Sequence, residues 1–120
     1  MLYVLVVDEN QDLRAAVKQE IEEHEEISVV AEARDGVTAV NLALQVRPHV
    51  VVMDVGISRM HGIEATRWLK TIAPEISVIG LSTQDDEFTR RVMFEAGATA
   101  FVSKMLMNEE LVPAIIGCDR

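Results

Sequence analysis

Residues 51–62 read VVMDVGISRMHG. Five apolar residues crowd around one carboxylate, Asp54, and the chain then breaks into glycine, serine and a second glycine. An ionised carboxylate is costly inside an apolar run unless it stands at the end of the strand, beside a cation or a hydrogen-bond donor. Val50 to Asp54 therefore reads as a buried strand whose last residue needs a partner.

Working outward, short β-branched runs alternate with longer stretches of helical period, the pattern of an α/β fold built on a parallel sheet. The other strands are expected at Leu2 to Val7, Ile27 to Ala33, Ile76 to Leu81 and Ala100 to Val102. Strands one, three and four are almost wholly apolar, as when helices cover both faces. Between them, Leu13, Ala16, Val17 and Ile21 form one helical stripe behind the N-cap candidate Asn10. A second helix carries Val37, Val40 and Leu44 and stops before Pro48. A third carries Ala65, Trp68, Leu69 and Ile72, closed by Pro74. Helix four is expected over Asp86 to Ala96, and helix five from near Asn108. Trp68 and Phe88 are expected to pack inside rather than to meet a ligand.

Right-handed crossovers leave few strand orders, and a five-stranded doubly wound sheet commonly takes 2-1-3-4-5. This order sets strands one and three side by side, and ligands bind beyond the carboxyl ends of the strands. At those ends stand Asp8 and Glu9, Asp54, Ser82 and, after strand five, Lys104. Neighbouring strands lie about 4.8 Å apart, so the carboxylates of strands one and three converge within one metal ion's reach. Two carboxylates about 4 Å apart repel by roughly 4 kcal/mol at an effective dielectric of 20, which favours protonation or a cation. An all-oxygen cluster of this kind suits Mg2+. Any one of these residues alone could be a helix cap, a strand end or a surface charge; the constellation gives them weight.

From Leu2 to about Ile116 the chain resembles the receiver domain of bacterial response regulators, most closely the NarL-type branch. LVVDEN is similar to the family's acidic pair, VVMDVGISRMHGIEAT to its phosphoacceptor segment, VIGLSTQDDE to its switch hydroxyl, and EAGATAFVSK to its fifth strand with aromatic and lysine. The resemblance implies a phosphorylation-activated switch. Asp54 would be the phosphoacceptor, supplied by a histidine kinase, a phosphotransfer protein or a small phosphodonor. Asp8, Glu9, Asp54 and the backbone carbonyl of Gly56 would hold Mg2+. Lys104 would pair with Asp54 at rest and with phosphate afterwards. Ser82 would donate a hydrogen bond to the new phosphate, and Phe101 matches the aromatic that moves from exposed to buried. The surface of helix four, strand five and helix five would change, controlling an output domain or partner, most simply in transcription. Activation could pair two copies through helices four and five or through helix one. Apart from assisting its own phosphoryl transfer and dephosphorylation, such a domain is not an enzyme.

The pattern departs from the family at several points. Ser58 and Arg59 replace the usual proline and glycine, His61 replaces a common acid and reads as a surface residue, and Met105 stands where proline is frequent. Glu9 replaces a second aspartate, and Thr83 is bulkier than the common alanine, which would slow water's approach to the phosphate. The three histidines are too scattered for a zinc site.

Three enzyme readings fit less well. A flavodoxin-like FMN site wants Ser, Thr and Gly amides where this chain has DENQD, a dehalogenase-like phosphatase wants an acid where Gly56 stands, and no Gly-x-x-x-x-Gly-Lys loop exists. The stronger alternative is an interaction module that keeps the receiver fold and signals without phosphate.

Composition agrees with one domain over residues 1–120, at which length roughly two thirds of the unfolded surface can be buried. The ending IIGCDR, shortly into helix five, fits the N-terminal part of a longer regulator whose output domain lies outside this chain. With 20 acidic against 11 basic residues the net charge is -9, so direct binding to nucleic acid or to an acidic membrane surface is disfavoured. The EIEEHEE run at residues 20–26 reads as a solvated helix end. Cys118 is the single cysteine and MLYVLVV lacks a basic leader, which fits a cytoplasmic protein.

Overall fold

A computed structural model describes residues 1–56, 61–84 and 86–118. The elements run β1 (Leu2–Val7), α1 (Gln11–Glu22), β2 (Ile27–Ala33), α2 (Gly36–Val46), β3 (Val50–Asp54), α3 (Gly62–Ile72), β4 (Ser77–Ser82), α4 (Glu87–Ala96) and β5 (Ala100–Ser103). A single 3-10 turn, Lys104–Leu106, leads into α5 (Met107–Gly117), which begins one residue before the expected Asn108. All strand pairs are parallel, in the order β2-β1-β3-β4-β5 expected from the sequence.

The period-two alternation of β1 and β3 splits their apolar residues between two cores. Val4, Val6, Val50 and Val52 face Val17 and Ile21 of α1 and Leu111 and Ile115 of α5. Leu5, Val7, Val51 and Met53 face Ala39 and Ala43 of α2 and Ala65 and Leu69 of α3. Both faces are covered, which is why these strands read as continuous apolar runs. A smaller cluster under α4 joins Met93, Ala98 and Phe101, with Val55 and Ile63 against it.

Caps fix where the helices start. The Asn10 side chain accepts the Asp12 and Leu13 amides at 2.9 and 3.1 Å, Asp35 accepts Thr38 at 2.8 Å, and Asp86 accepts Thr89 at 2.7 Å. α2 ends on Arg47 in the left-handed region and α4 on Gly97, at φ 50° and 114°.

Several helix faces differ from the expected stripes. α2 buries Gly36, Ala39 and Ala43 and leaves Leu44 exposed, because small residues let the helix approach the sheet closely. α3 buries Gly62, Ala65, Thr66 and Leu69, and turns Trp68 and Ile72 outward. Trp68 and Phe88, expected inside, are 53 % and 67 % exposed. Phe88 instead has the Arg91 guanidinium 5.8 Å from its ring centre. Leu13 also lies at the surface. Among the described residues no helix is long and apolar enough to cross a membrane.

Candidate functional site

β1 and β3 are paired with Val7 opposite Met53, so Asp8 and Asp54 are the next residues along at the same sheet edge. β3 pairs with β4 through Asp54 and Leu81, and β4 with β5 through Ser82 and Ser103, so Ser82 and Lys104 reach that edge as well. Topology alone gathers groups that are 96 residues apart in sequence.

Lys104 bridges the two carboxylates. Its Nζ lies 3.0 Å from Asp8 Oδ2 and 3.1 Å from Asp54 Oδ1. The two oxygens therefore stand no further apart than these bonds laid end to end, about 6 Å. All three side chains are largely withdrawn from solvent, at 15 % exposure for Lys104, 4 % for Asp8 and 11 % for Asp54. Asp8 is further fixed by the Asn10 amide, which donates to Oδ1 at 2.9 Å, and by Arg14 Nη1, which donates to its backbone oxygen at 2.7 Å. Asp54 Oδ1 also receives the Gly56 amide at a long 3.4 Å.

One ammonium between two carboxylates leaves this buried trio with a net charge of -1, and Glu9 stands exposed next to Asp8 in the chain. Burial pushes the Asp54 carboxyl above its ordinary value of 3.8, Lys104 draws it back, and the charge on Asp8 pushes it up again. For Lys104, burial acts against the charged form, but the hydrogen bond to Asp8 and the charges of Asp54 and Asp8 win and hold the amine above its ordinary 10.5.

Beside Asp54 opens a crevice of about 290 Å3, lined by Val55 and Gly56 on one side and by Ser82, Thr83 and Phe88 on the other. Ser82 is buried and its Oγ accepts the Gln84 amide at 2.9 Å, which leaves the hydroxyl proton available. Thr83 is exposed at this edge. Phe101 is buried among Met93 and Ala98, with the Arg90 guanidinium 4.9 Å from its ring centre. Its ring lies against Gly80, where an added Cβ would come within 3.1 Å of Cδ1. Ser58 and Arg59, the departures in the loop after Asp54, lie outside the described residues. His61 is exposed and Met105 is 88 % exposed.

Two contributors escape a reading of the sequence. Gly62 opens α3 so near β3 that a Cβ would sit 2.5 Å from the Asp54 backbone oxygen and 2.8 Å from Val55 Cα. A glycine at the first helical position after the acidic strand end was the available signal. Arg14 carries no signal, since a basic residue on α1 looks like a solvated face.

The donor set fits Mg2+, which takes one or two carboxylates and keeps several waters. Among the described residues, no three His, Cys, Asp or Glu side chains are gathered to hold a metal ion; Asp8 and Asp54 are the two carboxylates brought together, with Lys104 between them.

Known proteins are similar to this chain over almost its whole length. A family model described as "Response regulator receiver domain" matches residues 4–116. The transcriptional regulatory protein DegU of Brevibacillus brevis is 32 % identical over 114 residues, 95 % of this chain and 48 % of the relative. The chain spans about half the length of the curated relatives it matches. Among solved structures, a two-component response regulator of the LuxR family from Aurantimonas sp. SI85-9A1 superposes with a TM-score of 0.94 at 31 % identity, covering 98 % of this chain and 84 % of that one. The signal receiver domain assigned to NarL from Mycobacterium tuberculosis gives 0.92 at 25 % identity, covering 98 % and 94 %. With its parallel five-stranded sheet and its matched length, the chain belongs to the receiver domain family of response regulators.

Proposed function

We propose that this chain is a phosphorylation-activated switch of a two-component phosphorelay and that Asp54 accepts the phosphoryl group. The observation that carries the reading is the single lysine shared between two buried carboxylates on neighbouring strands, a site short of positive charge and open to a crevice. A carboxylate oxygen of Asp54 attacks phosphorus and the bond from phosphorus to the donor breaks, releasing an imidazole from a phosphohistidine or a carboxylate from a small acyl phosphate as the acyl phosphate on Asp54 forms. The donor is a histidine kinase, a phosphotransfer protein or a small acyl phosphate.

Such a transfer needs positioning and neutralisation of the transferring oxygens more than covalent chemistry. Asp8, Glu9, Asp54 and the Gly56 carbonyl would hold Mg2+, which supplies part of that neutralisation. Lys104 supplies the rest, exchanging its contact with Asp54 for one with phosphate. Ser82 keeps its proton free while accepting from Gln84, and donates it to a phosphate oxygen. The phosphoryl group brings nearly two negative charges, enough to bias the β4–α4 loop and the packing of Phe101 between two arrangements. The face of α4, β5 and α5 carries the change to an output domain, a partner or a second copy.

Residues 1–120 act here as one receiver unit, working in the cytoplasm as part of a longer regulator of transcription, as the DegU relative and the LuxR-family structure support. The net charge of -9 leaves DNA contact to other parts of such a regulator. Incubation with acetyl phosphate and Mg2+, read by intact mass, tests the reading. A gain of one phosphoryl that Asp54→Asn abolishes supports it; no gain with any donor favours a phosphate-independent module.

A further inference from the structure

Asp8 is held by a second group of residues on α1 and β2. Arg14 Nη1 donates to the Asp8 backbone oxygen at 2.7 Å, and its Nε donates to Glu32 Oε1 of β2 at 3.3 Å. Lys18 Nζ lies 4.0 Å from the other Glu32 oxygen. Arg14 is 16 % exposed, unlike an ordinary surface arginine, whereas Glu32 is 38 % exposed. The Asp8 amide donates to the Ala33 oxygen at 3.0 Å, so every polar atom of Asp8 is engaged: the amide by β2, the backbone oxygen by Arg14, Oδ1 by Asn10 and Oδ2 by Lys104.

We propose that Arg14 is a positioning residue for Mg2+, acting through the main chain of Asp8 with Glu32 as its anchor. The inference rests on the reading of Asp8 and Asp54 as the Mg2+ site. The guanidinium fork suits the task, since one edge holds a carbonyl while Nε holds a carboxylate, and a lysine cannot reach both in fixed geometry. Partners that orient a metal ligand commonly contribute tenfold or more to affinity.

The sign of the effect separates positioning from charge. Arg14 places a cation beside a site that takes another cation. If it acted through charge alone, its removal would tighten Mg2+ binding. If it positions Asp8, its removal loosens binding despite the lost repulsion.

Isothermal calorimetry with Mg2+ alone, on the whole chain, gives the test. Arg14→Gln is expected to weaken Mg2+ binding about tenfold, at the low end for such partners. Glu32→Gln is expected to weaken it less, and the double variant no more than Arg14→Gln alone, because Glu32 works through Arg14. The Asn10 amide resonance, which reports the Asp8 carboxylate, should shift in both single variants. Equal or tighter binding by Arg14→Gln overturns the proposal, and so do fully additive losses. Should Arg14→Gln fail to fold, unchanged affinity in Glu32→Gln overturns it equally. A wild-type chain that takes up no Mg2+ sinks the site reading and this inference together, whereas a wild type that binds normally beside an indifferent Arg14→Gln sinks the positioning role alone.

Discussion

Replacing Lys104 by methionine keeps most of the aliphatic length of the side chain and removes the cation that, among the described residues, Asp8 and Asp54 share. The two carboxylates would then face each other across about 6 Å or less, with no ammonium between them. Unit charges at that distance repel by about 3 kcal/mol at an effective dielectric of 20. Removing one partner from a buried ion pair costs about 3–5 kcal/mol. The small residual exposure of the trio and proton uptake by one carboxyl reduce this, so Lys104→Met should lose about 2–3 kcal/mol at neutral pH, or roughly 10 °C in Tm. The pH dependence follows from the raised Asp54 value, which loss of Lys104 raises further. Between the unfolded and folded values the native state binds more protons, so the deficit should shrink as pH falls toward the unfolded carboxylate value and be largest at neutral pH and above. Mg2+ should restore the variant by more than it stabilises the wild type, since no lysine then competes for the carboxylates; saturation at a hundredfold excess over Kd contributes about 2.7 kcal/mol. Urea unfolding across pH, with and without millimolar Mg2+, measures all of this. A variant as stable as the wild type at neutral pH, or a loss that neither acid nor Mg2+ relieves, would refute the reasoning.

Gly62→Ala should destabilise by about 2 kcal/mol or more, because its Cβ meets backbone that cannot step aside, and should slow phosphoryl uptake from acetyl phosphate; normal stability and rate would show that α3 withdraws freely. Gly80→Val should cost about 1–3 kcal/mol by overpacking against Met93 and Phe101, and Met93→Ala in the same chain should relieve part of it, so strictly additive unfolding energies would count against this contact. The Asp86 carboxyl is held below its ordinary value chiefly by the Thr89 amide, so its cap on α4 is fully present above pH 3.8 and is lost as pH falls through the lower folded value. Amide exchange at Thr89 should quicken in that acid range, and an unchanged rate in Asp86→Ala would contradict the cap.

The strands and the site were legible for one physical reason. A parallel sheet covered on both faces demands unbroken apolar runs, so a polar group at the end of a run is conspicuous: Asp8, Asp54, Ser82 and Lys104 stand out as the places where the apolar runs stop. The helix faces were less legible. Ranking α2 by its large residues places Val40 correctly, partly buried against the core, but also favours Leu44, which is exposed, whereas close approach to the sheet selects Ala39 and Ala43. In α3 the same bias drew Trp68 and Ile72 inward, although Ala65, Thr66 and Leu69 fill the available depth. Phe88 was misplaced because its neighbour Arg91 offers a cationic partner at the surface that no apolar period reveals. Arg14 stayed hidden because its anchor Glu32 lies 18 residues away and meets it only once β2 has formed.

The central claim is that Asp54, and no other acid at this edge, takes the phosphoryl group. Borohydride reduction of the chain after acetyl phosphate and Mg2+ converts an acyl-phosphorylated aspartate to homoserine, which peptide mapping locates. Homoserine at position 54 alone is the expected result. Reduction at Asp8 or Glu9 instead, or none in a chain that has gained a phosphoryl mass, would contradict the account.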